Sequence, residues 1–297
     1  MSLRDQALPE FDLPAAPQRI DDLPAPRPGV EAFRVHAPAG RFLLICSEVA
    51  LALAFEATLF DLLVEARYPA PRPRRAKGGS FIARLKRPGG AAAAACYAWP
   101  PGDEVASAAA TIPQILEIGR LLARLHQLGE THPASVPDPA DGPALLSRVP
   151  PGPDREALAA VLEPALPPLP SGAVHGGLRP SRALFIGERC SAVLPSGLAC
   201  SAALVVDLAE AAVGWSLFSP KPIAALRALV SGYQALRRLL PEEAQALFAA
   251  LRFAAAREGA RLAAAGDGAP LSALGAADAM GEPEVRSAAG ESPPKKK

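Results

Sequence analysis

Aromatic side chains are scarce. Phe, Trp and Tyr make up only 5% of the 297 residues, so the core rests on scattered Leu, Val, Ile and Phe among many alanines that each bury little area. Cysteines are few, at positions 46, 96, 190 and 200, with no Cys-x-x-Cys pair and three of them inside apolar runs. That pattern excludes a disulfide framework and predicts buried free thiols, with the cytoplasm as the expected compartment. The four histidines show no ligand spacing, so no zinc site is expected. Neither sign of charge dominates: 31 Lys and Arg against 30 Asp and Glu leave a net charge of +1, which supplies no field for nucleic acid or an acidic membrane. No stretch of ~20 uncharged apolar residues exists that would make a transmembrane helix. The N-terminus carries Arg4, Asp5, Glu10 and Asp12 without an apolar segment, unlike a secretory signal.

What is present is a large apolar fraction, 50%, enough to bury a core and to argue against overall disorder. The length suits one two-lobed domain or two small ones. The 34 prolines gather between periodic segments and mark connections. Residues 1–28 read as a proline-rich extension, loose or lying on the surface. Val30–His36 and Arg41–Cys46 around the Pro38-Ala39-Gly40 turn predict a β-hairpin. Ala50–Ala66 has helical spacing, and Ser80–Leu85 with Ala91–Trp99 predicts a second hairpin, although its alanines are poor strand formers. Residues 29–99 are thus a small α+β lobe. After Pro100-Pro101-Gly102 the chain to residue 263 is mainly helical. Thr111 and Gln114 make a capping box before an amphipathic helix ending near Gly129. A short helix falls around Asp154–Leu166, a small hairpin flanks Gly187-Glu188-Arg189, and Ser219-Pro220 and Pro241 open two further helices. Residues 264–297, rich in small residues and ending in Lys295–Lys297, are expected to be disordered.

The stretch 173–215 carries a resemblance. His175-Gly176-Gly177-Leu178-Arg179-Pro180-Ser181-Arg182, then Leu184, Phe185 and Gly187, Val193-Leu194-Pro195-Ser196, Ala199-Cys200, Leu204, Asp207-Leu208-Ala209 and Trp215 follow one another as in homoserine kinases of the aminoglycoside-phosphotransferase family. Gly29-Val30-Glu31, Gly40–Leu44, Tyr68–Pro73, Trp99–Gly102, Gly119–His126 and Gly232-Tyr233 agree in order, so the resemblance spans roughly residues 29–262. It implies an α+β, two-lobed, protein-kinase-like fold, with a small β-rich N-lobe and a larger helical C-lobe.

The same resemblance marks what is missing. Phosphoryl transfer asks for a carboxylate beside the attacking hydroxyl, and an Asn and an Asp to hold Mg²⁺ against the phosphates. In this sequence the base position is Gly177, the Asn position Arg182 and the Asp position Pro195. The lysine that many relatives carry falls near Ile45. A lost general base costs ~10²–10⁴ in rate, and losing both metal ligands removes the charge neutralisation on which the reaction depends. The expectation is therefore a pseudokinase that works by binding an unidentified protein or small molecule, without resident cofactor or Mg²⁺. Binding of ATP phosphates by Arg179 and Arg182 without metal stays open. The alternative is an ATP-dependent kinase acting on homoserine or a related amino alcohol, which needs a relocated carboxylate; Glu188, Asp207 and Glu210 lie near in sequence. The resemblance assigns Asp207 and His175 to holding the loop.

Other features are weaker. Lys77-Gly78-Gly79-Ser80 lacks the spacing of a phosphate loop and a following helix. Ser171-Gly172 and Ser196-Gly197 do not form a GxSxG elbow, and His126 suits a helix C-terminus. The basic run Arg72, Arg74, Arg75, Lys77, Arg84, Lys86 and Arg87 reads as a solvated hairpin or as an anion or partner patch.

Overall fold

A computed structural model of the chain describes residues 2–13, 16–24, 29–87, 90–132, 134–138, 142–264, 266 and 269–290. The N-terminal stretch is more ordered than its prolines suggest. Helix α1 (Leu3–Ala7) starts at Ser2, whose hydroxyl accepts the Asp5 N–H at 3.1 Å. Strand β1 (Arg19–Leu23) pairs antiparallel with β2 (Val30–Ala37), which turns into β3 (Gly40–Ser47). Helix α2 (Ala50–Glu65) leads to β4 (Ile82–Arg87) and β5 (Gly90–Ala98), completing a five-stranded antiparallel sheet of order β1-β2-β3-β5-β4.

Both faces of this sheet are covered, which explains the alanines of β5. Alternation sends Leu43, Ile45, Ala93, Ala95 and Tyr97 toward Leu53, Leu59, Phe60 and Leu63 of α2. The opposite face, with Phe42, Leu44, Ala94 and Cys96, is closed by Ala7 and Phe11 of the N-terminal stretch. Small side chains let both layers approach, so burial overrides the low strand propensity of alanine. The extension is a working layer of the lobe because the sheet's outer apolar face needs a cover.

The larger lobe begins with β6 (Asp103–Glu104) and α3 (Ile112–Gly129), where the Thr111–Gln114 capping box is complete. Helices α4 (Gly142–Leu146) and α5 (Pro153–Leu162) follow. Strand β7 (Ser171–Val174) pairs with β10 (Cys200–Ala203), while β8 (Ala183–Ile186) and β9 (Arg189–Val193) form the expected hairpin. Helix α6 (Leu204–Ala212) runs into a π-turn, Val213–Leu217, and then come α7 (Pro222–Gln234) and α8 (Pro241–Ala264). Helix α7 starts at Pro222, two residues later than Ser219-Pro220 implied; the Ser219 hydroxyl instead accepts the Lys221 N–H. Helices α3 and α7 cross with backbones in contact. A Cβ on Gly119 would collide with the Leu229 carbonyl, and one on Gly232 with that of Leu116.

The expectation of disorder after residue 263 fails for two segments. Helices α9 (Ser272–Met280) and α10 (Glu282–Ala288) bury Ala273, Ala277, Met280 and Val285 against the helical lobe. Composition missed them because their apolar stripe is mostly alanine. Lys295–Lys297 lie outside the described residues. All four cysteines are free and buried, and burial pushes the Cys46, Cys96 and Cys190 thiols up to about 12. Among the described residues no helix is long and apolar enough to cross a membrane.

Candidate functional site

The loop after β7 is held from below by Asp207 of α6. One carboxylate oxygen accepts the His175 N–H at 2.9 Å, and the other accepts the Gly176 N–H at 2.9 Å. The first also meets His126 Nε2 at 3.0 Å, and His126 Nδ1 reaches the Tyr233 hydroxyl at 2.7 Å. Burial alone would raise the Asp207 carboxyl, but the His126 hydrogen bond, the neighbouring imidazoles and the His175 N–H hold it below the usual carboxylate range. The His175 ring is fully buried, with Nε2 2.9 Å from the Leu194 carbonyl. Burial lowers its pKa. Trp215 in the π-turn fixes the middle of the loop by donating Nε1–H to the Leu178 carbonyl at 2.9 Å.

Gly176 and Gly177 both have positive φ, +72° and +136°. At Gly176 a Cβ would run into the Leu198 carbonyl; at Gly177 there is space, but the backbone lies where side-chain-bearing residues are strained. The position that the resemblance assigns to the base thus has no side chain and a backbone that favours glycine. Arg182 ends a one-turn 3₁₀ helix and is 5% exposed. Its guanidinium makes one long hydrogen bond, 3.4 Å to the Pro24 carbonyl. Burial lowers its proton affinity, and the Glu56 and Glu104 carboxylates oppose that. Pro195 is buried beside Ser196, and neither offers a carboxylate.

Glu56 is a participant that the sequence reading passed over. It is the only charged residue in Ala50–Phe60, a lone acid on an apolar helix, which is the signal that marks it. Its fully buried carboxylate takes the Ser196 N–H at 2.9 Å and the Gly197 N–H at 2.8 and 2.9 Å, plus the Ser196 hydroxyl at 3.2 Å. Burial raises its pKa, while those N–H groups and Arg182 pull the other way. Glu56 thus holds the Ser196-Gly197 turn that follows Pro195.

Above the loop, Arg34 projects from the cleft face of β2. Its guanidinium lies 4.1 Å over the Trp99 ring of the connector and 2.6 Å from Glu104. That group bridges the sheet and the connector. Two cavities flank Arg179. One, of about 90 Å³, is bounded by Gly177, Arg179, Ser181, Arg182, Ser196 and Arg261. The other, of about 570 Å³, lies among Glu104, Ser107, Arg179, Gly214, Phe218 and Glu258. Arg179 pairs with Glu258 at 2.5 Å, and Arg261 meets the same carboxylate at 2.7 and 2.8 Å.

The donors do not fit Mg²⁺. Gly177, Arg182 and Pro195 supply no ligand, the Glu56 oxygens are occupied by N–H groups, and a dication would face the Arg182 guanidinium. Among the described residues no group of three His, Cys, Asp or Glu could hold a metal. Of the carboxylates near in sequence, Glu188 is exposed in the β8–β9 turn and Asp207 is bound to the loop. Glu210 faces Arg257 at 3.1 Å. The basic run is largely engaged as well. Arg72 pairs with Asp61, Arg74 and Arg75 donate to the Asp12 and Gly79 carbonyls, and Arg87 pairs with Glu48.

An antiparallel sheet lobe, a helical lobe and a loop pinned by a buried aspartate define a kinase-like protein. The sequence profile of the phosphotransferase enzyme family (APH) matches residues 22–247, and the chain belongs to that family. It is homoserine kinase-like. The homoserine kinase of Rhodopseudomonas palustris (strain BisB18) is 30% identical over 245 residues, 76% of this chain and 73% of its own. That of Acidiphilium cryptum (strain JF-5) is 31% identical over 218 residues, 67% and 65% of the two chains. In fold the chain is similar to the amicoumacin kinase hAmiN in complex with AMP-PNP, Ca²⁺ and Ami (TM-score 0.71, 13% identity, covering 92% and 89%). It is also similar to a microcompartment-associated aminopropanol kinase (TM-score 0.65, 16% identity, covering 97% and 98%).

Proposed function

We propose that this protein is a pseudokinase of the homoserine kinase-like group, which keeps the fold and acts by binding. The observation that carries this reading is the buried, nearly unpartnered Arg182 guanidinium at the position of a metal ligand. The left-handed backbone at Gly177 and the commitment of Glu56 to the Ser196-Gly197 backbone support it. A cation cannot ligate Mg²⁺, and losses at groups that act as a unit are not made good one at a time. The test is ADP release by purified protein with ATP, Mg²⁺ and homoserine, beside a panel of amino alcohols. A flat trace from folded protein is expected; turnover above that of an Arg182→Glu control ends the reading.

A second reading is an ATP-dependent kinase for homoserine or a related amino alcohol. The identity to named homoserine kinases favours it, as does the cavity of about 570 Å³, where Glu104 and Glu258 stand with Arg179, opposite charges that suit a zwitterion. It requires Glu56 to leave the Gly197 N–H and bind metal. Mg²⁺-dependent phosphorylation that disappears in Glu56→Gln is its expected signature.

A further inference from the structure

We propose that the arginine-lined cavity between the Gly177–Arg182 loop and α8 is a metal-independent site for a small phosphate-like oxyanion. The inference rests on the binding-only reading above and names the chemistry that such a site takes.

Three observations converge. First, arginines from two separate elements line one small space: Arg179 and Arg182 from the loop and Arg261 from α8, with Ser181 beside them. One carboxylate is satisfied by a single arginine fork, whereas several forks arriving from different elements suit a tetrahedral dianion. Second, the carboxylates at the cavity are already committed. Glu258 is shared by Arg179 and Arg261, and Glu56 is the carboxylate that faces Arg182. Glu56 is in turn held by the Ser196 and Gly197 N–H groups, and Glu104 pairs with Arg34. Third, Arg182 is 95% buried, from its 5% exposure, yet has only the 3.4 Å contact with Pro24. A buried charged donor with so little compensation is costly, and an anion in the cavity would supply the missing acceptors.

The dimensions select the ligand. About 90 Å³ equals the liquid volume of about three waters, which is the scale of a single phosphate group. A triphosphate with its metal does not fit there. At the connector end, Arg34 lies over Trp99 and pairs with Glu104. The ligand is therefore inorganic phosphate or the head of a small phosphomonoester, not a nucleotide. Arg182 stands in for the cation that relatives of this fold would bring as a metal, so the site needs none.

The test is calorimetric titration and thermal shift of the full chain with inorganic phosphate in EDTA, against sodium chloride at matched ionic strength. Phosphoethanolamine, and ATP with and without Mg²⁺, form the further arms. Saturable binding of phosphate, unchanged by Mg²⁺, is expected. Tighter binding of phosphoethanolamine would assign the site to a monoester head, and equal or weaker binding to free phosphate. Arg261→Gln should weaken binding about tenfold or more, and so should Arg182→Gln. Arg189→Gln, an exposed arginine on β9, should leave it unchanged. If Arg182→Gln does not fold, the Arg261→Gln result decides. Absence of saturable phosphate binding by folded wild-type protein overturns the site, as does affinity unaffected by Arg261→Gln. So does ATP binding more than about tenfold tighter than phosphate only when Mg²⁺ is present. Mg²⁺-dependent ADP release is a separate failure: it removes the binding-only reading, whatever the phosphate titration shows.

Discussion

The Gly197 N–H points at both oxygens of Glu56, 2.8 Å from one and 2.9 Å from the other. A helix of the small lobe thereby holds a loop of the large lobe through a fully buried charge. The Ser196 N–H joins it at 2.9 Å, and Arg182 supplies the facing cation. Charge-assisted bonds of this kind keep the lobes in one relation.

Removing that carboxylate should be costly. Glu56→Ala leaves two buried N–H groups without an acceptor and removes one of the two carboxylates that act on Arg182. The expected loss is about 2–6 kcal/mol, from about 1–3 kcal/mol for each buried donor left unsatisfied. Urea unfolding measures it. A loss below about 1 kcal/mol would mean that solvent enters the loop and replaces the carboxylate.

A second prediction concerns restoring the base. Gly177→Asp places a side chain at φ +136°, in the region that glycine alone occupies without strain. It should cost about 1–3 kcal/mol and give no ADP release. Asp at this position with unchanged stability would show that the loop relaxes easily to another backbone. Turnover from this single change would show that the metal positions are not needed.

Most of this frame was legible in the sequence. Val30–His36 alternated in part and Arg41–Cys46 followed as an apolar run, as a hairpin with a buried second strand should; Thr111 and Gln114 announced the start of α3, and the order of residues from His175 to Trp215 gave the family. Alanine-rich segments were harder. β5 is a strand because two layers press on it, and α9 and α10 are helices because their small stripes find a groove. Neither fact is a local property of the chain. The site was half legible. Gly177, Arg182 and Pro195 could be read from motif order, and Gly177 and Arg182 do share one cavity. Arg34, Arg261 and Glu258 could not, because Arg34 sits in an ordinary strand pattern and the other two lie on a helix about 80 residues beyond the loop.

Gly119 provides a third prediction, on packing alone. Its Cα faces the Leu229 carbonyl where α3 crosses α7, and Gly232 faces Leu116 in return. Gly119→Ala must push two backbones apart, with an expected cost of about 1–3 kcal/mol or more. Gly275→Ala meets no neighbour and is helical, so it should gain about 0.4–1 kcal/mol. Thermal melts of the two variants should move in opposite directions. A stabilised Gly119→Ala would contradict the close crossing.

The last prediction follows from Glu258. Burial alone would raise its pKa, but hydrogen bonds and charge from Arg261 and Arg179 pull it down to about 2, from an ordinary 4.5. A carboxyl depressed by folding adds stability that is fully present above its unfolded value and is lost as pH falls through its folded one. The window is therefore pH 4.5 to about 2. The depression corresponds to about 3 kcal/mol at neutral pH, and Glu258→Gln should forfeit much of it. Denaturant unfolding of both proteins should show the widest gap near pH 6, narrowing steadily as the buffer is taken toward pH 2.5. Phosphate must be absent from these buffers, because an anion beside Arg179 and Arg261 would compete for the same guanidiniums. A gap that stays constant through the acid range would show that Glu258 is not held ionised by its two arginines.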